Sequence, residues 1–426
     1  MVVRVPESIK QFAKKYLSNL GNSKSELLPL YMAGFLLGVG KRTYTTLGST
    51  VFLEQRHKTA VSKFFRRKTF NSGKIIGDAL RKTILEELKL SGMKQEWILL
   101  IDGTCTRRGG FTKIGNAIKY REKNNSGRGR STKAHTFVMG VLFSPHGKRY
   151  PVRFSFYTKE YCKNKNIPYK TQNDIAIEII ELFRRILPSA AKLVVIADSY
   201  FDSKKIFGYI DRSNTIFITS ADRDRTSKHR YGTEKLHERT KNMKRLRTFV
   251  LTKGGEPYTQ EQCRFSHPEM RGKIKQKYRI TGEALNVSGV GKCRVVYSWK
   301  KKSDRRKSGE SLRVILCSDP SWPDEKVTEF YAMRWQIEIF FRELKSDMGL
   351  SDFCGQDFES FERYIDICLL SFLFLEWHRS MKIVASRSRR EKSQLKILRT
   401  RGMKILIRHE ATRQTFLEVK RLKLVA

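Results

Sequence analysis

The sequence lacks the cysteine patterns of disulfide-stapled and zinc-binding proteins. Its 426 residues include seven cysteines, an odd number, with no Cys-x2-Cys pair and no Cys/His cluster at zinc spacing. This usage favours a reduced intracellular compartment and argues against a structural metal. The N-terminus has no apolar signal-peptide core, and the longest apolar run, residues 367–375, is too short to span a bilayer. That run predicts a buried helix, and we expect a cytoplasmic protein.

Acidic residues are scarce relative to basic ones. The chain has 42 Asp and Glu against 86 Lys and Arg, a formal net charge of +44. A hydrophobic fraction of 39% and 26 Phe argue against a disordered basic tail. A folded protein this cationic binds polyanions, and nucleic acid is the leading candidate. A purely structural nucleic-acid binder, such as a ribosomal protein, would fit the charge equally well.

One stretch, from Tyr331 to Lys345, contains neither Gly nor Pro, and its apolar spacing predicts one continuous α-helix. At roughly 100° per residue, four polar side chains share an arc of about 60°: Tyr331, Arg334, Glu338 and Lys345. The neighbouring arc is apolar and predicts a core stripe: Met333, Ile337, Phe340, Phe341, Leu344 and Met348. The polar face has the groups to bind a metal ion and phosphate oxygens. An amphipathic helix with a solvated charged face is the alternative.

Two apolar runs are each followed by an aspartate. Residues 97–101 predict a buried strand ending at Asp102, and residues 192–197 predict another ending at Asp198. Strands near 135–144 and 149–158, a helix over 173–187, a helix over 203–210 and a strand over 215–219 complete the pattern. This order, β-β-β-α-β-α-β, is that of an α/β, ribonuclease-H-like core, whose first and fourth strands are neighbours. The two carboxylates are then expected side by side, although either Asp could equally be a turn or cap residue.

The remaining regions differ in texture. Residues 1–92 predict a helical N-terminal DNA-binding region, in which the segment 55–68 is either a helix-turn-helix-like element or a solvated basic helix. The core is expected over 93–222 and 321–378, with a basic mobile loop at 107–133. Residues 223–320 predict an inserted, basic, mainly β subdomain with strands at 248–252, 276–281, 294–299 and 311–317. Residues 379–426 predict a basic helical C-terminal region.

Three motifs together resemble the signature regions of DDE transposases. They are Ile101-Asp102-Gly103-Thr104, the run from Ala197 to Asp202, and the Tyr331 stretch, which matches the Tyr-x2-Arg-x3-Glu-x6-Lys signature of bacterial cut-and-paste insertion sequences. The resemblance covers about residues 95–350. It implies a ribonuclease-H-like fold, two Mg²⁺ ions that Mn²⁺ can replace, and a homodimer acting on nucleoid DNA. The DNA partners it implies are the element's terminal inverted repeats and the target.

The chemistry of that family needs two divalent ions about 3.5–4 Å apart, held by oxygen ligands. Asp102, Asp198 and Glu338 are the expected catalytic residues and metal ligands, and Glu343 is expected to be dispensable. Water would nick the DNA, and the freed 3′-hydroxyl would form a hairpin and later join the target. Candidate DNA contacts are Tyr331, Arg334, Trp335, Arg342, Lys345, Lys63, Arg66, Arg67, Lys300, Lys301, Arg305 and Arg306. Trp335 would support a displaced base or pack beside the core.

Two alternative functions stay open. One is a structure-selective nuclease on the same fold, which would cleave DNA without joining it. The other is a non-catalytic DNA-binding derivative of a transposase.

Overall fold

The computed structural model describes most of the chain. The described residues are 4–17, 22–51, 53–67, 70–91, 95–107, 116, 118–123, 129–210, 214–222, 224–229, 232–240, 247–252, 275–299, 312–355, 357–386, 388, 391–392, 394 and 400–425.

A large mixed sheet organises the described chain into an α/β fold. Its twelve strands run in the order β2-β3-β1-β5-β6-β12-β11-β10-β7-β8, with β4 paired to β3 and β9 paired to β10. The strands are β1 Glu96–Arg107, β2 Ile118–Lys123, β3 Gly129–Phe143, β4 Arg149–Ser155, β5 Lys192–Ala197, β6 Thr215–Ser220, β7 Thr226–His229, β8 Gly232–Lys235, β9 Arg247–Thr252, β10 Lys275–Val287, β11 Gly291–Trp299 and β12 Arg313–Cys317.

The helices pack on this sheet and on one another. They are α1 Glu7–Tyr16, α2 Asn22–Leu37, α3 Tyr44–Ser49, α4 Lys58–Arg66, α5 Ser72–Ser91, α6 Lys159–Lys165, α7 Gln172–Ile186, α8 Lys204–Ile210, α9 Leu236–Arg239, α10 Asp324–Ala332, α11 Trp335–Ser346, α12 Phe358–Ala385 and α13 Thr400–Val425. A short 3₁₀ turn, Ser199–Phe201, follows β5. Across the described residues, no helix is both long and apolar enough to cross a membrane.

Three parallel strands form the part of the sheet that carries the two aspartates. Strand β5 pairs in parallel with β1 on one side and β6 on the other. Strands in such a position are buried on both faces and therefore consist of near-continuous apolar runs. The sequence of β5, Lys-Leu-Val-Val-Ile-Ala, has this pattern, and its last five residues are buried. The predicted adjacency of the strands that precede Asp102 and Asp198 is confirmed.

Strand β1 extends beyond its predicted end. It continues from Asp102 to Arg107, paired with the antiparallel strand β3 from Ile98↔Phe143 to Arg107↔Ala134. The parallel pairing with β5 does stop at Ile101↔Ala197. Asp102 therefore marks the end of one ladder while the other continues. The prediction missed this because the residues that follow have no apolar run.

The predicted mobile loop at 107–133 is wrong over part of its length. Residues Ile118–Lys123 and Gly129–Phe143 form an antiparallel pair that brings Ile118 opposite Ala134. The many Gly, Asn and Ser residues favoured a loop, but backbone pairing with a long neighbouring strand overrides local propensity. Residues 108–115, 117 and 124–128 lie outside the described chain.

The strands predicted between 223 and 320 are present and continue the same sheet. Strand β12 pairs with β6 through Ile315↔Ser220, and β11 and β10 follow outward. Strands β7 and β8, which were not predicted, complete this side.

Helix α12 lies at the centre of the helical layer. The apolar run 367–375 lies within it and is buried throughout, as predicted. N-terminal helices pack against it: the rings of Phe12 and Phe374 are 5.5 Å apart, and Tyr364 Oη donates to the Arg42 carbonyl at 3.0 Å. The N-terminal helices thus share a core with the rest of the chain.

The single helix predicted over Tyr331–Lys345 is wrong, because two helices, α10 and α11, meet there. At the junction the N–H of Arg334 bonds the Tyr331 carbonyl at 3.1 Å, and the N–H of Ile337 bonds the Arg334 carbonyl at 3.2 Å. These bonds reach back three residues, the tighter 3₁₀ pattern. Apolar spacing does not reveal such a change, because the core stripe stays buried from Met333 to Met348.

Candidate active site

The two aspartates project from neighbouring strands. Asp102 Oδ1 accepts the N–H of Gly103 at 2.7 Å, which fixes the carboxylate against its own strand. Asp198 begins the 3₁₀ turn that follows β5, and its Oδ1 accepts the N–H of Tyr200 at 3.0 Å. Thr219 on β6 donates to the Asp198 carbonyl at 2.7 Å. Asp198 is therefore a cap, as one of the two sequence interpretations had it, and its role as a metal ligand stays a prediction.

Arg334 connects the helices to these strands. Its Nη2 lies 2.6 Å from Glu338 Oε1, and its Nη1 lies 3.9 Å from Asp102 Oδ2. The side chains of Arg334 and Asp102 are each 18% exposed, and that of Glu338 is 31% exposed. The structure thus brings Asp102, Arg334 and Glu338 to one site, beside the strand that leads into Asp198.

The electrostatics of the site are unbalanced. Burial raises the pKa of Asp102 to about 6, and the negative charges of Asp198 and Glu338 add to the rise while Arg334 opposes it. Burial also raises the pKa of Asp198, against the N–H of Tyr200 and the charge of Arg334. Among the described residues, the charge of Arg334 thus acts on three carboxylates: it pairs with Glu338, lies near Asp102 and lowers the pKa of Asp198. Such a set gains stability from an added cation.

The donor set suits a hard divalent cation, because all its ligand atoms are carboxylate oxygens. Within the described residues, no three acidic, His or Cys side chains already converge into a metal-binding group. The position of Glu338 is consistent with this, since its carboxylate is bonded to Arg334. Asp102 and Asp198 supply carboxylate oxygens close enough for the charge of Asp198 to act on Asp102, whereas Glu338 is held by Arg334.

The other predicted DNA-contacting residues between Tyr331 and Lys345 differ in how exposed they are. Trp335 is 47% exposed at the start of α11, which disfavours core packing as its main role. Arg342 is exposed, and Lys345 is partly buried in the last turn of α11. Tyr331 is buried, with the guanidinium of Arg313 5.8 Å from its ring centre, so it offers little surface to DNA.

The predicted basic surfaces are only partly described. In α4, Val61, Phe64 and Phe65 are buried, as the amphipathic pattern predicted. Lys63, Arg66 and Arg67 are exposed on its other side. The charged turn with Lys300, Lys301, Arg305 and Arg306 lies outside the described residues.

Glu343 is not an inert position, because it belongs to a buried charge cluster formed by Arg149, Glu343, Glu376 and Arg379. Arg149 Nη1 lies 2.7 Å from Glu343 Oε2, and its Nη2 lies 2.8 Å from Glu376 Oε1. Arg379 also pairs with Glu376. These contacts were not predicted, because the partners are distant along the chain.

Comparison with known proteins identifies the family of the chain. A family model described as the transposase DDE domain matches residues 93–374. The transposase for insertion sequence element IS231E of Bacillus thuringiensis subsp. finitimus is 26% identical over 153 residues, which cover 34% of this chain and 31% of that relative. The match thus spans about a third of the relative's length. The family match, in contrast, covers most of this chain and includes the strands of both aspartates and the Glu338 helix. The chain belongs to the DDE-domain transposase family.

Proposed function

We propose that this protein is a DNA transposase that binds the ends of an insertion sequence, cleaves them and joins their 3′-hydroxyls to target DNA. The observation that supports this most is the unbalanced site, where Arg334 lies against Asp102 and Glu338 and its charge also acts on Asp198. A deficit of positive charge beside buried carboxylates suits a divalent cation and a phosphodiester substrate. The net charge of +44 supports a nucleic-acid partner.

The proposed architecture is a ribonuclease-H-like core over 93–222 and 321–378. A helical DNA-binding region precedes it, residues 223–320 form a basic β insertion, and 379–426 form a basic helical end. Two copies would act together on paired element ends, on nucleoid DNA in the cytoplasm.

Each residue has a distinct proposed role. Asp102, Asp198 and Glu338 would hold two Mg²⁺ or Mn²⁺ ions, which when bound activate an attacking oxygen and neutralise the leaving oxygen. Arg334 would leave Glu338 and donate to phosphate oxygens, for which its planar fork is suited. Arg342 and Lys345 would hold the adjoining backbone, and Trp335 would stack on a base displaced from the duplex. For Tyr331 we propose support of Arg334 rather than direct contact with phosphate.

The proposed reaction has four steps, two hydrolyses and two transesterifications. Water attacks the phosphodiester at the element end, releasing a 3′-hydroxyl on one strand and a 5′-phosphate on the other side of the nick. That hydroxyl attacks the opposite strand and closes a hairpin, which water then reopens. Finally the 3′-hydroxyl attacks a target phosphodiester. Each step exchanges one P–O bond for another and needs no redox partner.

Helix α4 is the proposed N-terminal contact with duplex DNA. Its exposed cations would release counterions on binding, so changing Lys63, Arg66 and Arg67 together to Gln should reduce the slope of log affinity against log salt by up to about 2.7. Exposed cations elsewhere in the N-terminal region give a charge-matched control: Lys10, Lys14 and Arg81. Equal losses of slope in the two triple variants would refute a specific role for α4.

The function itself is tested with DNA carrying the element's own ends, Mg²⁺ and a target plasmid. Denaturing gels should resolve nicked, hairpin and joined products in that order of appearance. Nicks alone, under every metal and target condition, would favour a structure-selective nuclease. Binding without any cleavage would favour a non-catalytic derivative.

A further inference from the structure

A second aspartate, Asp202, ends the turn that Asp198 begins, and its side chain is completely buried. Arg225 encloses it. The Nε of Arg225 donates to Asp202 Oδ2 at 2.9 Å, and its Nη2 donates both to Oδ1 and, at 2.8 Å, to the Asp202 carbonyl. The N–H of Asp222 donates to the same Oδ2 at 2.9 Å. Such a forked, water-excluded pair fixes geometry far more firmly than a surface ion pair does.

Arg225 also reaches the strands inserted between Asp198 and Glu338. Its Nη1 donates to the carbonyl of Ser288 at 3.1 Å, in the turn between β10 and β11. The N–H of Ser288 in turn donates to the Thr226 carbonyl at 2.9 Å. With its side chain 12% exposed and its three nitrogens all bonded, Arg225 is not available to DNA phosphates.

The turn from Asp198 to Asp202 is therefore fixed at both ends. At its start, Thr219 holds the Asp198 carbonyl at 2.7 Å. At its end, the N–H of Asp202 donates to the Ser199 carbonyl at 3.2 Å, and Arg225 holds the Asp202 side chain. Between the ends, the N–H of Tyr200 orients the Asp198 carboxylate at 3.0 Å. Rotation of this turn would move that N–H and so redirect the carboxylate.

We propose that Asp202 and Arg225 are a positioning pair: by tying the Asp198 turn to the β10–β11 turn, they set the direction of the Asp198 carboxylate and hence its affinity for a divalent cation. The inference rests on the proposed function, because it assumes that Asp198 binds such an ion. Neither residue of the pair contacts the ion or the DNA. Through Arg225, the inserted strands β10 and β11 would hold the turn from Asp198 to Asp202 in place.

The test uses Tb³⁺, an oxygen-seeking ion whose luminescence is sensitised by nearby Tyr or Trp, so it reports binding without catalysis. Tyr200 and Trp335, both exposed beside the site, are suitable donors. Arg225→Lys removes the fork, and Asp202→Asn removes the charge while keeping the shape. Each should weaken Tb³⁺ binding to the full-length protein by roughly tenfold to a hundredfold, as loss of an outer-shell partner does. The Mg²⁺ concentration for half-maximal nicking should rise by a similar factor.

Arg239→Lys is the matched control. Arg239 makes the same kind of fork to Glu283, with both bonds at 3.0 Å, but bonds elsewhere in the inserted region. It should leave Tb³⁺ affinity unchanged, and thermal unfolding of all variants shows whether each is folded.

The outcomes separate the two proposals. If Asp198→Asn leaves Tb³⁺ luminescence unchanged, the metal site itself, and with it the proposed function, is wrong. If Asp198→Asn abolishes the signal but Arg225→Lys and Asp202→Asn bind Tb³⁺ as Arg239→Lys does, the positioning inference is overturned. The pair then contributes stability alone.

Discussion

Glu338 and Glu343 lie on the same helix, yet they belong to charged clusters of opposite character. In the buried charge cluster, two guanidinium groups face two carboxylates, and Arg149 and Arg379 hold the pKa of Glu376 below its usual value despite burial. At the candidate active site, the described residues place the guanidinium of Arg334 against three carboxylates, and the pKa of Asp102 rises to about 6. Both clusters hold carboxylates that are wholly or partly buried, so burial alone does not explain the difference.

The difference lies in how completely each charge is paired. A buried ion pair contributes to structure when every group has a partner, and removing one partner leaves a costly isolated charge. Glu343 fits this description, since Thr400 also donates to it at 2.9 Å. At the active site, the carboxylates of Asp102, Asp198 and Glu338 share the positive charge of Arg334 and are incompletely paired. An electrostatic imbalance of this kind is typical of sites that bind a charged cofactor or substrate.

The largest expected effect separates the clusters by activity. Ala at Asp102, Asp198 or Glu338 should reduce Mg²⁺-dependent nicking by about 10³-fold or more, because metal-assisted catalysis supplies several kcal/mol. DNA binding should persist, since it depends on Lys and Arg. Asp224→Ala, at an exposed aspartate paired with Lys235, is the control and should nick normally. Substantial nicking by any of the three active-site variants would refute the assignment.

The second prediction compares the two clusters by their contribution to stability, where the buried charge cluster should matter more. Glu376→Ala should lower the free energy of unfolding by about 3–5 kcal/mol, because it leaves two buried guanidinium groups facing each other. Glu338→Ala should change it by less than about 1 kcal/mol, since the loss of its partly exposed pair with Arg334 is offset by relief of its repulsion with Asp102. Urea unfolding followed by circular dichroism gives both values. Equal destabilisation by the two substitutions would remove the distinction between the clusters.

The third prediction concerns the guanidinium at the active site. If Arg334 and Lys345 hold phosphates, Ala at either position should still permit nicking but reduce hairpin formation and joining by about a hundredfold. A strand end must be positioned within about 1 Å, whereas water need not be. Arg334→Lys should also fail, because an ammonium lacks the fork. Time courses on denaturing gels separate the steps. If all steps are lost equally, Arg334 and Lys345 contribute only to general DNA binding.

Sequence reasoning predicted the parts of the molecule whose physics is local. The apolar run before Asp198 predicted a buried strand, and the stripe beside Glu338 predicted a core face; both are confirmed. It failed where the local structure depends on a partner that is distant along the chain. Strand β1 continues past Asp102 because β3 pairs with it, and Glu343 is buried because Arg149 and Thr400 meet it there. The helix break at Arg334 depends on a change in backbone hydrogen bonding that no residue type in the stretch announces.

The smallest expected effect is a gain in stability. Asp102 has a pKa of about 6 in the folded protein, against 3.8 as its reference value, so the folded state binds more protons between those pH values and loses stability as pH rises through them. Removing the ionisable group should recover that loss: Asp102→Asn should stabilise the metal-free protein by about 1–3 kcal/mol at pH 7.5. Near pH 4 the gain should vanish, because Asp102 is then protonated in the folded protein.

Saturating Mg²⁺ should also reverse the order of stability of wild type and Asp102→Asn at pH 7.5, since the cation stabilises the wild-type carboxylate and not the amide. Thermal unfolding at both pH values, with and without Mg²⁺, measures each part, with Asp224→Asn as the control expected to show no gain. A gain at pH 4 equal to that at pH 7.5 would mean that Asn improves packing, and the charge imbalance at Asp102 would then have no energetic consequence.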